Sequence, residues 1–203
     1  MGIGKYIGLR TKSLVLRNNE NYDLHKAELN PVIFEEFIGV VLEKNSLPPV
    51  VWEPFAGHTG RSRTQDFSER IGLKLISFDI KPSDDRVVRA DSMVTGPGMM
   101  VGGVFFHPPY FGTTPLSDDS HDLSIISNWD KYVDALSKTV RIASLVTVDG
   151  GFVCAIGRDY RSGGERVRLD LEYLRLFEED SFEIHSVMES EPDVAMIFIK
   201  VGI

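Results

Sequence analysis

Chemistry in this 203-residue chain gathers in four short runs. Glu53-Pro54-Phe55-Ala56-Gly57-His58-Thr59-Gly60 joins a carboxylate to small residues that let backbone approach a ligand closely, with a helix N-terminus to follow. Asp79 and Asp91 each close a predicted strand, and the Asp79 carboxylate could accept hydrogen bonds from both hydroxyls of a ribose. In His107-Pro108-Pro109-Tyr110, His107 and Pro108 each precede a proline, which favours extended backbone, and neither proline adds an N–H donor. Each run alone also reads as something ordinary: a turn that needs glycine, a cap or turn aspartate, a strand terminator. Their order points to a site, because all four fall at successive strand ends of one sheet.

The elements that must position them follow from pattern. Asn30 and Pro31 open a helix over 31–44. Val50 to Glu53 reads as a short buried strand, followed by a helix from about Arg61 to Arg70. KLISFDI gives a second strand ending on Asp79, and DRVVRAD a short one ending near Asp91. GGVFFHPPY is an apolar strand stopped by its prolines. A polar stretch, 111–128, precedes a helix over 129–148, then the buried strand GGFVCAIG, a helix over RVRLDLEYLRLFEED, and final strands FEIHSVM and DVAMIFIKV. This alternation predicts an α/β sandwich with a mostly parallel sheet and a hairpin-like end. In such sheets ligands bind beyond the carboxyl ends of the strands, where the four runs lie.

Composition bounds the function. With 42% hydrophobic and 10% aromatic residues the chain can bury one substantial core, so a single domain is expected. A net charge of −8 argues against non-specific coating of nucleic acid, and a nucleic-acid enzyme with this charge needs a local basic face. The sequence has neither a long apolar run nor a signal-peptide pattern, which predicts a soluble, cytoplasmic protein. The one cysteine, Cys154, sits in the apolar run GFVCAI and reads as a buried thiol. His25, His121 and His185 lack ligand spacing and read as surface or core residues, so no metal is expected.

VVWEPFAGHTG resembles the cofactor motif, usually Asp-Pro-Phe-x-Gly-Ser-Gly, of the amino-methyltransferases of DNA, which methylate adenine N6 or cytosine N4 from S-adenosylmethionine. HPPY resembles their catalytic motif, usually Asp-, Asn- or Ser-Pro-Pro-Tyr, in the form found in a subset of the family. The likeness extends upstream to His25-Lys26-Ala27-Glu28-Leu29-Asn30-Pro31 and downstream to GRDYRSGGERVRLDL and DVAMIFIK, covering most of the chain. Glu53, His58 and His107 depart from the usual residues.

The resemblance implies a Rossmann-like methyltransferase sandwich, with a mostly parallel seven-stranded sheet and an antiparallel C-terminal strand. It implies one catalytic domain over 1–203, with an N-terminal arm (1–30), active-site and substrate loops at 111–128 and 157–166, and no separate target-recognition domain. S-adenosylmethionine is the implied cofactor. Lys26, Glu53, Pro54, Phe55, Ala56, Gly57, His58, Thr59, Gly60, Asp79 and Asp91 would surround it, with Asp79 on the ribose, Asp91 on the adenine amino group and Glu53 near the ammonium. His107, Pro108, Pro109 and Tyr110 would be catalytic. DNA is the implied partner, met by Phe111 and by Arg158, Arg161 and Arg166 from a glycine-containing loop that reads equally as a solvated one. Relaxed specificity, a homodimer or a partner specificity subunit would stand in for the missing recognition domain.

An exocyclic amino lone pair is delocalised into the base, so its nitrogen attacks only when rigid acceptors draw its protons out of plane. A neutral His107 ring nitrogen and the Pro108 carbonyl would serve, with Tyr110 as a stacking face. Adenine versus cytosine stays open. So do an RNA base methyltransferase, a catalytically silent cofactor-binding partner subunit, and a small-molecule methyltransferase.

Overall fold

The strand β5 (Val101–Phe106) is buried at every position, which a strand achieves when helices cover both faces of its sheet. The structure, a computed structural model, describes residues 14–15, 31–57, 62–113, 115–162, 164–190 and 193–202. Beside β5 lie β2 (Val50–Glu53), β3 (Lys74–Asp79) and β4 (Val88–Arg89) in one direction. In the other lie β6 (Thr147–Gly157), β10 (Asp193–Lys200), β9 (Phe182–Ser190) and the two-residue β1 (Leu14–Val15). Every neighbouring pair is parallel except those made by β10, which runs antiparallel to both β6 and β9. This is the expected mostly parallel seven-stranded frame, with β1 as an eighth member at the β9 edge.

Alternation along the strands divides the core. Val51, Phe105, Cys154 and Ile197 face α1 (Pro31–Glu43), whose Ile33, Phe34, Phe37 and Val41 are buried, with α2 (Arg63–Ile71) beside it. Trp52, Phe106, Val153 and Phe198 face α3 (Trp129–Val146) and α4 (Leu169–Glu179). Cys154 is the buried thiol expected, and burial pushes its pKa up. Among the described residues no helix is long and apolar enough to cross a membrane.

Three boundaries differ from expectation. The strand expected over 85–91 shrinks to Val88–Arg89, because Asp84 and Arg86 form a turn. Asp84 accepts from Ser62 N at 2.8 Å, and Arg86 reaches Asp66 at 2.9 Å and Glu69 at 3.0 Å, pinning that turn to α2. The helix over 129–148 stops at Val146, and β6 begins directly at Thr147. Arg166 to Arg168, expected to start a helix, belong instead to β8 (Glu165–Arg168), which pairs antiparallel with β7 (Asp159–Ser162). The run Glu165-Arg166-Val167-Arg168 satisfies a two-residue period with Val167 inward, whereas helical spacing takes hold only at Leu169, Tyr173, Leu176 and Phe177.

Candidate active site

Glu53, at the end of β2, is 3% exposed. Register places Ser77 of β3 opposite, donating its hydroxyl to Glu53 at 2.6 Å. Thr64, in the first turn of α2, donates to both carboxylate oxygens at 2.9 and 3.0 Å. Burial raises the Glu53 pKa to about 7; Ser77 and Thr64 oppose the rise, and Asp79 adds to it. Glu53 thus ties β2, β3 and α2 together on either side of the glycine loop. That α2 begins at Arg63, behind an N-cap in which Ser62 accepts from Gln65 N at 3.2 Å, follows from the same network.

The loop itself leaves β2 under restraint. Ala56 N donates to Phe78 O at 2.9 Å, Ser92 donates to Pro54 O at 2.5 Å, and the Phe55 ring meets Phe106 edge-on at 5.5 Å. Gly57 has φ +81°, a conformation that favours glycine, and a Cβ there would enter open space. His58, Thr59, Gly60 and Lys26 lie outside the described residues.

Asp79 ends β3, with its Oδ1 accepting from Lys81 N at 2.7 Å. Asp91 lies two residues beyond β4 rather than on it, in a turn where its Oδ1 accepts from Met93 N at 2.8 Å. Its Oδ2 lies 2.6 Å from Nδ1 of His121, an exposed residue of the 111–128 stretch. His121 is therefore a surface residue with a specific partner. Lys81 and Asp118 form a second link at 2.9 Å, so the stretch expected to close over the target base also runs along the Asp79–Asp91 edge.

At the end of β5, His107 meets the Tyr110 ring edge-on at 5.7 Å. Burial lowers the His107 pKa, with Asp193 opposing and Arg158 reinforcing the shift. Tyr132 of α3 donates to Pro109 O at 2.7 Å, one carbonyl past the Pro108 oxygen expected to face substrate. The Tyr110 hydroxyl donates to Asp193 Oδ1 at 3.0 Å, and its ring lies near-parallel to Tyr160 at 5.9 Å. Burial, followed by Asp193, holds the Tyr110 phenol well above its ordinary pKa.

Phe111, expected to touch substrate, packs its ring on Trp129 at 5.2 Å and Tyr132 at 5.4 Å. The 157–166 segment, expected as a loop, is largely the β7–β8 hairpin. The hairpin is fastened across the residues after the motif by Tyr160, donating to Phe111 O at 2.6 Å, and Ser162, donating to Gly112 O at 3.2 Å. Arg158 pairs with Asp193 at 2.9 Å, Arg161 donates to Gly164 O at 3.1 Å, and Arg166 pairs with Asp159. Arg161 and Arg166 are exposed, and three of the four arginines in 158–168 are ion-paired, Arg158 with Asp193, Arg166 with Asp159 and Arg168 with Asp170. Among the described residues no group of three or more His, Cys, Asp or Glu is placed to hold a metal.

Sequence reasoning missed Asp193, Tyr160 and Tyr132. The signal for Asp193 was the hairpin-like end: an antiparallel strand brings its first residue, not its last, to the edge where parallel strands end.

No family model matches the chain, and no curated protein matches it. Solved structures do share its fold. The 1,6-didemethyltoxoflavin-N1-methyltransferase of Burkholderia thailandensis, with S-adenosylhomocysteine bound, has a TM-score of 0.55 at 12% identity, over 84% of this chain and 79% of that one. The N-methyltransferase NodS of Bradyrhizobium japonicum has 0.55 at 8% identity, over 85% and 96%. An S-adenosylmethionine-dependent methyltransferase of Clostridium acetobutylicum has 0.50 at 12%, over 88% and 95%. The fold is the Rossmann-like fold of S-adenosylmethionine-dependent methyltransferases.

Proposed function

We propose that this chain is an S-adenosylmethionine-dependent methyltransferase acting on the exocyclic amino nitrogen of adenine or cytosine in DNA. The observation that carries the reading is His107-Pro108-Pro109-Tyr110 at the carboxyl end of buried β5, beside the β2 end that leads into the glycine loop. Two observations support a cofactor at the adjoining edge: a Cβ at Gly57 would enter open space, and Asp79 presents a partly exposed carboxylate at the end of β3. Phe55 to Gly57 would meet its methionine portion, Asp79 its ribose and Asp91 its adenine, once His121 shares or yields that carboxylate. When bound, the cofactor supplies an electrophilic methyl group on a sulfonium.

The chain's own residues would prepare the acceptor. A lowered pKa keeps the His107 ring neutral, so one of its nitrogens can accept a hydrogen bond from the amino group. The Pro108 carbonyl gives a second acceptor on backbone that two successive prolines stiffen. Tyr110 offers an aromatic ring to an extruded base, and the hairpin arginines offer charge to phosphates.

The test is to incubate the protein with labelled cofactor and DNA, RNA or no nucleic acid, then identify the modified nucleoside by mass spectrometry. N6-methyladenine or N4-methylcytosine in DNA supports the reading; label in RNA alone, or in neither, overturns it. Calorimetry with Asp79→Ala tests the cofactor edge separately. Affinity should drop by about tenfold or more, the effect of losing one or two charge-assisted hydrogen bonds, and unchanged affinity in a folded variant removes Asp79 from the site.

A further inference from the structure

Asp193 begins β10, the one strand of the seven-stranded frame that enters the sheet at its catalytic edge. Val194 is paired with Gly157, which sets Asp193 beside Arg158 just past the end of β6. Gly157 belongs there because a Cβ would come within 3.0 Å of the Tyr173 ring. Three donors converge on the single oxygen Oδ1: the Tyr110 hydroxyl at 3.0 Å, Arg158 Nε at 2.9 Å and Arg158 Nη2 at 2.9 Å. The Arg158 guanidinium carbon in turn lies 5.4 Å from the centre of the Tyr110 ring. Tyr110 is thus held at its backbone by Pro109, which Tyr132 grips, and at its tip by Asp193.

We propose that Asp193 is a positioning residue of the methyl-transfer site. It fixes the tip of Tyr110 and holds the Arg158 guanidinium against the ring, so that the wall meeting the acceptor is set before the acceptor arrives. The inference rests on the methyltransferase reading for its consequence, though the contact itself can be tested apart from it. Without the carboxylate the phenol loses its acceptor and Arg158 is left beside the ring unneutralised, so the ring no longer has one preferred orientation. The binding edge for the cofactor, at β2 and β3, is formed by other residues and should be untouched.

Two measurements on the full chain decide it. The first needs no activity: with tyrosine labelled at Cζ, the Tyr110 resonance is assigned by its loss in Tyr110→Phe and followed in Asp193→Asn and Asp193→Ala. Both variants should move that resonance, and an unmoved one overturns the proposal. The second compares kcat, KM and cofactor affinity on whichever acceptor the wild type methylates. Asp193→Ala should lose about tenfold or more in kcat/KM with cofactor affinity within about twofold, Asp193→Asn should retain part of the loss, and Asp193→Ala with Tyr110→Phe should cost less than the two singly combined. A folded Asp193→Ala with wild-type kcat/KM, or full additivity in the double variant, overturns the proposal. If the wild type methylates a small molecule or RNA, the function proposed above fails while Asp193 is still judged on that acceptor. If it methylates nothing, that function fails and the resonance alone judges whether Asp193 positions Tyr110.

Discussion

Nδ1 of His121 lies 2.6 Å from Oδ2 of Asp91, joining the segment that follows His107-Pro108-Pro109-Tyr110 to the turn after β4. Asp91 raises the His121 pKa above 6.5, with Asp119 assisting, so the ion pair holds in acid and is lost as pH climbs through the raised value. Amide hydrogen exchange over 115–122, corrected for intrinsic rate, should therefore quicken with rising pH in the wild type. In His121→Ala it should be fast throughout; equal protection in both proteins across the range would show that the link plays no part.

Glu53 gives the opposite end of the site a pH dependence of its own. Its pKa is raised from 4.5 to about 7, so between those values the folded chain holds a proton that the unfolded chain has released. This contribution to stability is present in acid and disappears as pH rises through about 7. The gap corresponds to about 3 kcal/mol. Glu53→Gln, which cannot ionise, should show a flatter urea midpoint between about pH 5 and 8, and parallel profiles would refute it.

If His107 accepts from the amino group as proposed, protonation turns that acceptor into a donor. Burial lowers its pKa from 6.5, so turnover should fall only below that value. In single-turnover pH profiles, His107→Asn should keep some activity and lose the acid limb, while His107→Ala should be slow at every pH. An alanine variant as fast as wild type means that His107 does not hold the acceptor.

The hairpin arginines can be tested without disturbing Asp193. Reversing exposed Arg161 and Arg166 to Glu should weaken DNA binding and reduce the slope of log affinity against log salt by about 0.9 for each phosphate no longer neutralised. Cofactor affinity should stay as it was. An unchanged slope would remove these arginines from the proposed DNA contact.

Much of this arrangement is legible in the amino-acid order alone. The ends of β2, β3 and β5 follow from apolar runs closed by Glu53, Asp79 and His107, because a buried strand and a proline stop leave strong local marks. The β7–β8 hairpin is not legible, since Arg166-Val167-Arg168 fits a strand or the start of a helix and only pairing with Asp159–Ser162 decides between them. The roles of Asp193 and His121 escape for a related reason. Their partners, Tyr110 and Asp91, stand 83 and 30 residues away in sequence, and no local pattern records a contact made through sheet register or a long loop.

The position of β10 bears on the order in which the sheet and the proposed site can come together. It lies between β6 and β9, both synthesised before it, so until residues 193–200 leave the ribosome those two strands have no partner between them. A nascent chain can pair β2, β3, β5 and β6, and with them the proposed cofactor edge, while β6 still shows an unprotected flank. Tyr110 and Arg158 receive their shared carboxylate in the same event that seals the sheet. Capture of Tyr110 and Arg158 by Asp193 and removal of the aggregation-prone edge are one step, so a chain stalled before that step would be both sticky and without the contact that holds the Tyr110 hydroxyl.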